Sequence, residues 1–171
     1  RIDAGYVLER PGIETLAATI VCDTRADDGT PGPLTEAERE RYTRPHEDMV
    51  EVTDRIRQEA ATLATGLPED GAVRVEAILA MFVDRFRLGA VPYGALDRDA
   101  PSEWPLDSGF FDCQIAAALF CSLCRALGIP ARLCGGFQLY VPNTSYHYWA
   151  QAWLPDRGWL TFDPSFRSEE R

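Results

Sequence analysis

The sequence contains no lysine, so all 17 of its basic residues other than histidine are arginine. Histidine and methionine are also scarce, with two residues of each. The formal net charge is −10 and no basic patch stands out, which argues against nucleic acid or an anionic membrane surface as a partner. No apolar run is long enough to span a bilayer, and no signal peptide is visible. We expect that, within this chain, only the N-terminal amine can act as a primary-amine acceptor.

The remaining composition is that of an ordinary soluble globular protein. The chain has 171 residues, of which 46% are hydrophobic and 26% are charged. This length is sufficient for one domain with its own core. We predict a single domain over residues 1–171, made of a strand and loop segment (1–44), a helical pair (45–88) and a core that carries the chemistry (89–171).

Five cysteines are spread along the chain, and this odd number does not fit a disulfide framework. The count therefore predicts a reducing compartment and a cytoplasmic protein. Cys121 and Cys124 form a C-x-x-C pair inside a predicted helix, without a second pair or a histidine pair after it, so core packing is the favoured interpretation. The alternative is a zinc-stabilised binding module that uses Cys113, Cys121, Cys124 and Cys134. We expect no metal and no organic cofactor.

The first half of the chain predicts short strands and then helices. Apolar runs at 6–8 and 16–21 predict two strands, and the Thr35–Glu38 spacing predicts a capping box at the start of a short helix. Apolar residues at helical spacing predict amphipathic helices over residues 45–65 and 69–87. The Pro-, Gly- and Asp-rich segment 89–107 predicts an ordered loop.

The most informative stretch is a helix that begins with a cysteine. Asp112 is a good N-cap residue, so Cys113 takes the first helical position, and Gly128 with Pro130 ends the helix. The helix dipole and the unpaired amides of the first turn favour an anion there. This position therefore predicts a thiol with a lowered pKa.

Two strands near the C-terminus place a histidine and an aspartate on one face. Residues 131–141, 147–154 and 159–163 predict three strands, the last two joined by a tight turn. If Trp153 pairs with Trp159, Asp163 lies diagonal to His147 at roughly 7–8 Å between backbone positions, within reach of the side chains. The aspartate would then orient the imidazole, whose other nitrogen can face Cys113.

Segments of the sequence resemble, in chain order, the motifs of the transglutaminase-like core: FDCQIAAALF at 111–120, RALGIPAR at 125–132, GF at 136–137, HYW at 147–149 and GWLTFDP at 158–164. The resemblance covers roughly residues 90–166 and implies a papain-like α+β fold, with a nucleophile helix packed on an antiparallel sheet. It further implies Cys113 as nucleophile, His147 as general base and Asp163 as orienting carboxylate. One departure is Phe111, which stands where this family usually has glycine.

The favoured function is cysteine-dependent acyl transfer that hydrolyses a peptide or amide bond, with a peptide, a protein or a small amide or thioester as substrate. Amide-bond formation by a transglutaminase or amide synthase is the alternative, because bacterial proteins with this resemblance include both kinds of enzyme. An alternative of another class is a degenerate domain that binds a peptide or protein, which only Phe111 favours. Tyr93, Trp104 and Trp149 are predicted to line the site, the first two as possible second oxyanion donors.

Overall fold

The computed structural model describes residues 2–8 and 16–22 as backbone, and residues 32–138 and 145–165. The chain divides into two compact units, residues 1–30 and residues 31–171. In the first unit, β1 (Ile2–Leu8) and β2 (Leu16–Cys22) form an antiparallel pair in which Tyr6 lies opposite Ala18. Both predicted strands are therefore present, each longer than the apolar run that indicated it.

The second unit combines helices with short and long strands. Its helices are α1 (Glu36–Thr43), α2 (Asp54–Ala64), α3 (Gly71–Arg85), α4 (Trp104–Ser108) and α5 (Cys113–Ala126). Its strands are β3 (His46–Glu47), β4 (Val50–Glu51), β5 (Arg87–Leu88), β6 (Phe110–Phe111), β7 (Ala131–Gln138), β8 (Ser145–Leu154) and β9 (Gly158–Phe162). This is the predicted α+β class. Among the described residues, no helix has both the length and the apolar composition needed to cross a bilayer.

Helix α5 runs through the core of this unit. Every residue from Ile115 to Arg125 is buried, because α2 and α3 pack on the helix from one direction and β7 and β8 from another. A helix that is apolar all round is expected to be buried in this way. Phe120 stacks on Phe162 of β9 with ring centroids 5.3 Å apart. Cys121 and Cys124 are fully buried within this helix, which confirms core packing as their structural role.

The sheet has the strand order β7-β8-β9, and all of its pairs are antiparallel. Trp153 pairs with Trp159, which confirms the predicted register. The predicted strand over 131–141 is described as far as residue 138, and its last residues lie outside the described part. Gly135 and Gly136 are regularly paired with Tyr148 and His147, so the sheet has no bulge there.

Helix α1 begins at the predicted capping box, α3 begins at Gly71 just after the predicted start at residue 69, and α2 begins well after its predicted start. Thr35 and Glu38 form the expected capping box of α1, and Asp70 caps α3 by accepting from the amides of Ala72 and Val73. The helix predicted over residues 45–65 is wrong in its first part, because α2 begins only at Asp54, after its N-cap Thr53. The residues before it form the β3–β4 pair, with a turn in which Asp48 adopts a φ of +53°.

Phe111 belongs to the core. Its side chain is fully buried, and its ring packs edge-on against Phe82 and Phe86 with centroid distances of 5.6 and 6.4 Å. Gly109 adopts the left-handed conformation with φ +74°, where it caps α4. The residue that departs from the family pattern therefore anchors the start of α5 through apolar packing.

Arg125 is the charged side chain that ties the end of α5 to the segment before α2. Its Nη2 lies 2.6 Å from Glu47 Oε2, and the Arg125 side chain has an exposed fraction of 0%. Its other nitrogens donate to the carbonyl groups of Ala131 and Arg44 at 3.0 and 3.1 Å. This buried guanidinium holds β3 against the end of the helix, although β3 lies far from α5 in sequence.

We predict that Arg125→Met lowers the free energy of unfolding by about 3–5 kcal/mol, because a buried ion pair loses one partner and two carbonyl groups lose a donor. Urea denaturation of both proteins measures the difference. Arg57→Met is the control, because Arg57 pairs with Asp54 on an exposed helix face and such pairs contribute little. Equal stability of the Arg125 and Arg57 variants would contradict this role of Arg125.

Candidate active site

Cys113 is the first residue of α5, as the sequence predicts. Asp112 is the N-cap, and its Oδ1 accepts a hydrogen bond from the backbone N–H of Ile115 at 3.0 Å. The remaining amides of the first turn have no partner within the helix. The sulfur therefore lies beside backbone N–H groups that point away from the helix, at the positive end of its dipole.

Tyr93 reaches this helix start from the preceding loop. Its hydroxyl donates to Asp112 Oδ2 at 2.7 Å and lies 3.0 Å from Gln114 Oε1. Burial raises the pKa of the Tyr93 hydroxyl, and the charges of Asp112 and Cys113 raise it further. The structure thus places Tyr93 next to Cys113, as predicted, but as the residue that holds the N-cap carboxylate.

His147 and Asp163 are joined by a hydrogen bond. His147 Nε2 lies 2.5 Å from Asp163 Oδ2, and both side chains are largely buried. Asp163 follows β9, and the register of β8 and β9 places it diagonal to His147. The other carboxylate oxygen of Asp163, Oδ1, accepts from the backbone N–H of Ser165 at 3.1 Å and from its hydroxyl at 2.5 Å. The predicted contact is therefore confirmed.

Ser165 is a contact that the sequence analysis did not identify. It lies two residues after Asp163, which is the spacing at which an aspartate side chain accepts from the backbone in an Asx turn. That spacing was the available signal. Because the serine is buried and binds one carboxylate oxygen, it fixes the orientation of the carboxylate that binds His147.

The Cys113 sulfur lies at the strand that carries His147. Burial is the largest influence on the pKa of the Cys113 thiol and raises it. The charges of Asp112 and Asp163 also raise this pKa, whereas the backbone N–H groups of Tyr148, which follows His147, and of Gln114 lower it. The structure thus brings the start of α5, the His147 segment of β8 and Asp163 to one place. Because burial is the largest effect, the net direction of the Cys113 pKa is upward.

The prediction of a lowered Cys113 pKa is therefore wrong for the thiol by itself. The N-terminus of the helix acts in the expected direction, but the loss of hydration outweighs it. A thiolate at this position requires a balancing positive charge nearby. A protonated imidazole at His147 would supply that charge.

The two predicted tryptophans differ in their surroundings. The ring of Trp149 lies beside that of His147, nearly parallel to it, with centroids 6.5 Å apart. Trp104 lines a separate cavity of about 370 Å³, together with Arg55, Glu103 and Asp107. Its indole Nε1 is buried and has no hydrogen-bond partner among the described residues. A role of Trp104 as an oxyanion donor stays a prediction.

Cys113, His147 and Asp163 do not form a group of metal ligands. In residues 32–138 and 145–165, no group of three or more His, Cys, Asp or Glu side chains is arranged to hold a metal ion. The cysteines at 113, 121, 124 and 134 are free thiols. A zinc-stabilised module built on these cysteines therefore finds no support in the described part of the chain.

The sequence pattern of the Transglutaminase-like superfamily matches residues 57–164. This range contains α5, the three-stranded sheet and the side chains of Cys113, His147 and Asp163. The chain belongs to the transglutaminase-like superfamily. A protein-glutamine gamma-glutamyltransferase from Pseudomonas aeruginosa is 28% identical over an alignment 106 residues long, which covers 54% of this chain and 16% of that protein. The chain thus matches only a small part of this relative.

Solved structures share the fold. The periplasmic domain of TgpA from Pseudomonas aeruginosa superposes with a TM-score of 0.67 at 24% identity, over 80% of this chain and 50% of that one. A candidate cysteine protease from Cytophaga hutchinsonii superposes with a TM-score of 0.61 at 19% identity, over 77% and 43% of the two chains. These neighbours confirm the predicted transglutaminase-like core.

The cytoplasmic location predicted from the cysteine count is contradicted by this comparison, because the TgpA domain is periplasmic. The structure explains why the count was misleading. Cys121 and Cys124 lie on α5 and pack in the hydrophobic core around it. They are therefore packing residues that carry no information about the redox compartment.

We predict that Asp112→Asn shifts the alkylation of Cys113 to lower pH. The asparagine keeps an N-cap oxygen for the Ile115 amide but removes a negative charge that raises the pKa of Cys113. The measurement is the rate of iodoacetamide labelling at Cys113 as a function of pH. Asp84→Asn, on α3, is the matched control and should leave the profile unchanged. An unchanged or upward-shifted profile for Asp112→Asn would contradict this electrostatic role.

Proposed function

We propose that this chain catalyses acyl transfer through a covalent thioester on Cys113, with His147 as general base and acid and Asp163 as the orienting carboxylate. The observation that carries the proposal is the meeting of three elements. The Cys113 sulfur lies near the Tyr148 backbone on the strand of His147, and His147 is bonded to an aspartate that is itself fixed by Ser165. Membership of the transglutaminase-like superfamily, whose members are typically cysteine-dependent enzymes, supports it.

In the first half of the reaction, the Cys113 sulfur attacks the carbonyl carbon of an amide. When His147 Nε2 donates to Asp163, Nδ1 can take the thiol proton. The C–S bond forms first and gives a tetrahedral oxyanion, and the C–N bond then breaks as His147 passes the proton to the departing amine. The backbone N–H of Cys113 at the start of α5 stabilises the developing oxyanion.

In the second half, an acceptor attacks the thioester carbonyl and gives its proton to His147. The C–S bond breaks and the thiol of Cys113 is regenerated. Water as the acceptor produces a carboxylic acid, and a primary amine produces a new amide. Cys113, His147 and Asp163 have the same roles in hydrolysis and in amide formation, so the acceptor decides which reaction occurs.

Hydrolysis of a peptide or amide bond is the function that we propose first. The fold shared with a candidate cysteine protease supports it. Transfer to an amine is the second candidate, because the relative from Pseudomonas aeruginosa is named as a protein-glutamine gamma-glutamyltransferase. We also propose that the protein acts in the periplasm, which the likeness to the periplasmic TgpA domain supports.

Product masses test the proposal and discriminate between the acceptors. The protein is incubated with a mixture of peptides that contain glutamine, with and without methylamine, and the products are analysed by mass spectrometry. We expect cleavage products or deamidated glutamine without methylamine. Methylamide products that replace the hydrolysis products would identify an amine acyltransferase. Equal product formation by Cys113→Ala would contradict cysteine-dependent chemistry.

A pair of aspartate variants tests the catalytic assignment. Asp163→Asn keeps the size of the side chain but loses the charge that stabilises a protonated His147, so turnover should fall by about 10²–10⁴-fold. Asp156→Asn is the matched control, because Asp156 lies exposed in the turn between β8 and β9. Equal turnover by both variants would refute the role of Asp163.

A further inference from the structure

The exposed large apolar side chains of the described residues lie on two parts of the chain: the segment before α5, and strands β7 and β8. They are Leu88, Tyr93, Phe110, Phe137 and Tyr146, with exposed fractions from 43% to 59%. The first three lie on the segment that leads into α5, and the last two lie on the strands beside His147. Contiguous exposed apolar surface is rare on soluble proteins and marks a binding site more often than chance.

Three of the aromatic side chains near His147 form a continuous row, which we call the aromatic row (Phe137, Tyr146 and Tyr148). The ring centroids of Phe137 and Tyr146 are 5.1 Å apart, and those of Tyr146 and Tyr148 are 5.0 Å apart. Tyr148 is also the residue whose backbone N–H lies near the Cys113 sulfur and lowers its pKa. The row therefore begins at the nucleophile and leads outward from it.

The aromatic row lies on the sheet face that α5 covers further along. Ala150 and Ala152 share this face of β8 and are fully buried, whereas Tyr146 is 51% exposed. Helix α5 begins at Cys113, so the face is left open beyond the helix start. An extended ligand on this open part of the face would lie beside the start of α5, where Cys113 is located.

Gly135 lets two of the rings lie close to the strand. A Cβ atom at this position would come within 2.8 Å of Tyr146 Oη and 3.0 Å of Tyr148 Cε1. Any other residue would lift the tyrosine rings away from β7. The glycine and the two tyrosines also line a cavity of about 360 Å³, whose apolar wall is completed by Val50 and Leu133.

Charged side chains also line this cavity, namely Arg41, Glu47, Asp48 and Arg132. Glu47 binds Arg125 and Arg41, and Arg132 binds Gln151 while its guanidinium lies 4.1 Å from the centre of the Trp159 ring. The net charge of −10 further disfavours an acidic substrate. The aromatic row itself carries no charged side chain, so it is the part of this surface that suits an apolar ligand.

We infer that the aromatic row binds an extended peptide segment that carries an aromatic or large aliphatic side chain beside the amide attacked by Cys113. This inference rests on the proposed function, because it assigns the substrate class of the same site. Aromatic side chains at a binding surface provide a large contact area and prefer ring-to-ring packing. The aromatic row thus determines which peptide bonds or glutamine side chains reach the nucleophile.

Binding to the Cys113→Ala variant tests the inference without requiring any turnover. The probes are fluorescein-labelled peptides that are identical except at one central position, which is Phe, Leu, Ala or Asp. Fluorescence anisotropy should show that the Phe and Leu peptides bind about tenfold more tightly than the Ala and Asp peptides, as expected for one well-packed apolar side chain.

Two sets of substitutions locate the binding surface. Phe137→Ser with Tyr146→Ser should remove the preference for Phe and Leu, whereas Phe137→Tyr with Tyr146→Phe keeps both rings and should retain it. Equal affinity for all four peptides, or a preference that survives the serine substitutions, would overturn the inference. Failure of the proposed function is seen separately, as an absence of products from the wild-type protein with any peptide.

Discussion

The burial of helix α5 is the constraint on which the rest of the structure depends. Its residues from Ile115 to Arg125 are enclosed by the sheet and by α2 and α3, so the helix cannot shift without opening the core. Its first turn is held by contacts of its own, from Asp112 to Ile115 and from Tyr93 to Asp112. Cys113 is therefore positioned by a rigid element, as precise chemistry requires.

The other half of the site depends on strand register. Because Trp153 pairs with Trp159, Asp163 follows β9 at the position from which its carboxylate reaches His147. A shift of one residue in this pairing would turn Asp163 to the opposite face of the sheet and break the contact. Ser165 adds a local restraint on the carboxylate. The helix and the sheet thus each bring a fixed group to the reacting position.

The sequence predicted the local features of this site well. Asp112 as N-cap, Cys113 at the first helical position and the diagonal contact between His147 and Asp163 follow from helix and hairpin patterns that depend on neighbouring residues. Contacts between distant segments were not predictable in this way. The helix expected from residue 45 is interrupted by the β3–β4 pair, where Glu47 binds Arg125 across the fold.

The prediction that the pKa of Cys113 is lowered was wrong for a similar reason. The helix terminus is visible in the sequence, but the loss of hydration depends on what packs around the sulfur. Likewise, the departure at Phe111 could not be explained from the sequence, whereas the structure shows its ring packed against Phe82 and Phe86. Effects that depend on burial require the packed structure, whereas caps and registers do not.

The central claim is that Cys113 becomes a reactive thiolate through His147, because its surroundings alone raise its pKa. The most direct measurement is alkylation of the native protein with limiting iodoacetamide at about pH 6, followed by peptide mapping. The account predicts selective labelling of Cys113 in the wild-type protein and loss of that selectivity in His147→Ala. Labelling of Cys113 no faster than the other cysteines, or equal labelling in both proteins, would contradict it.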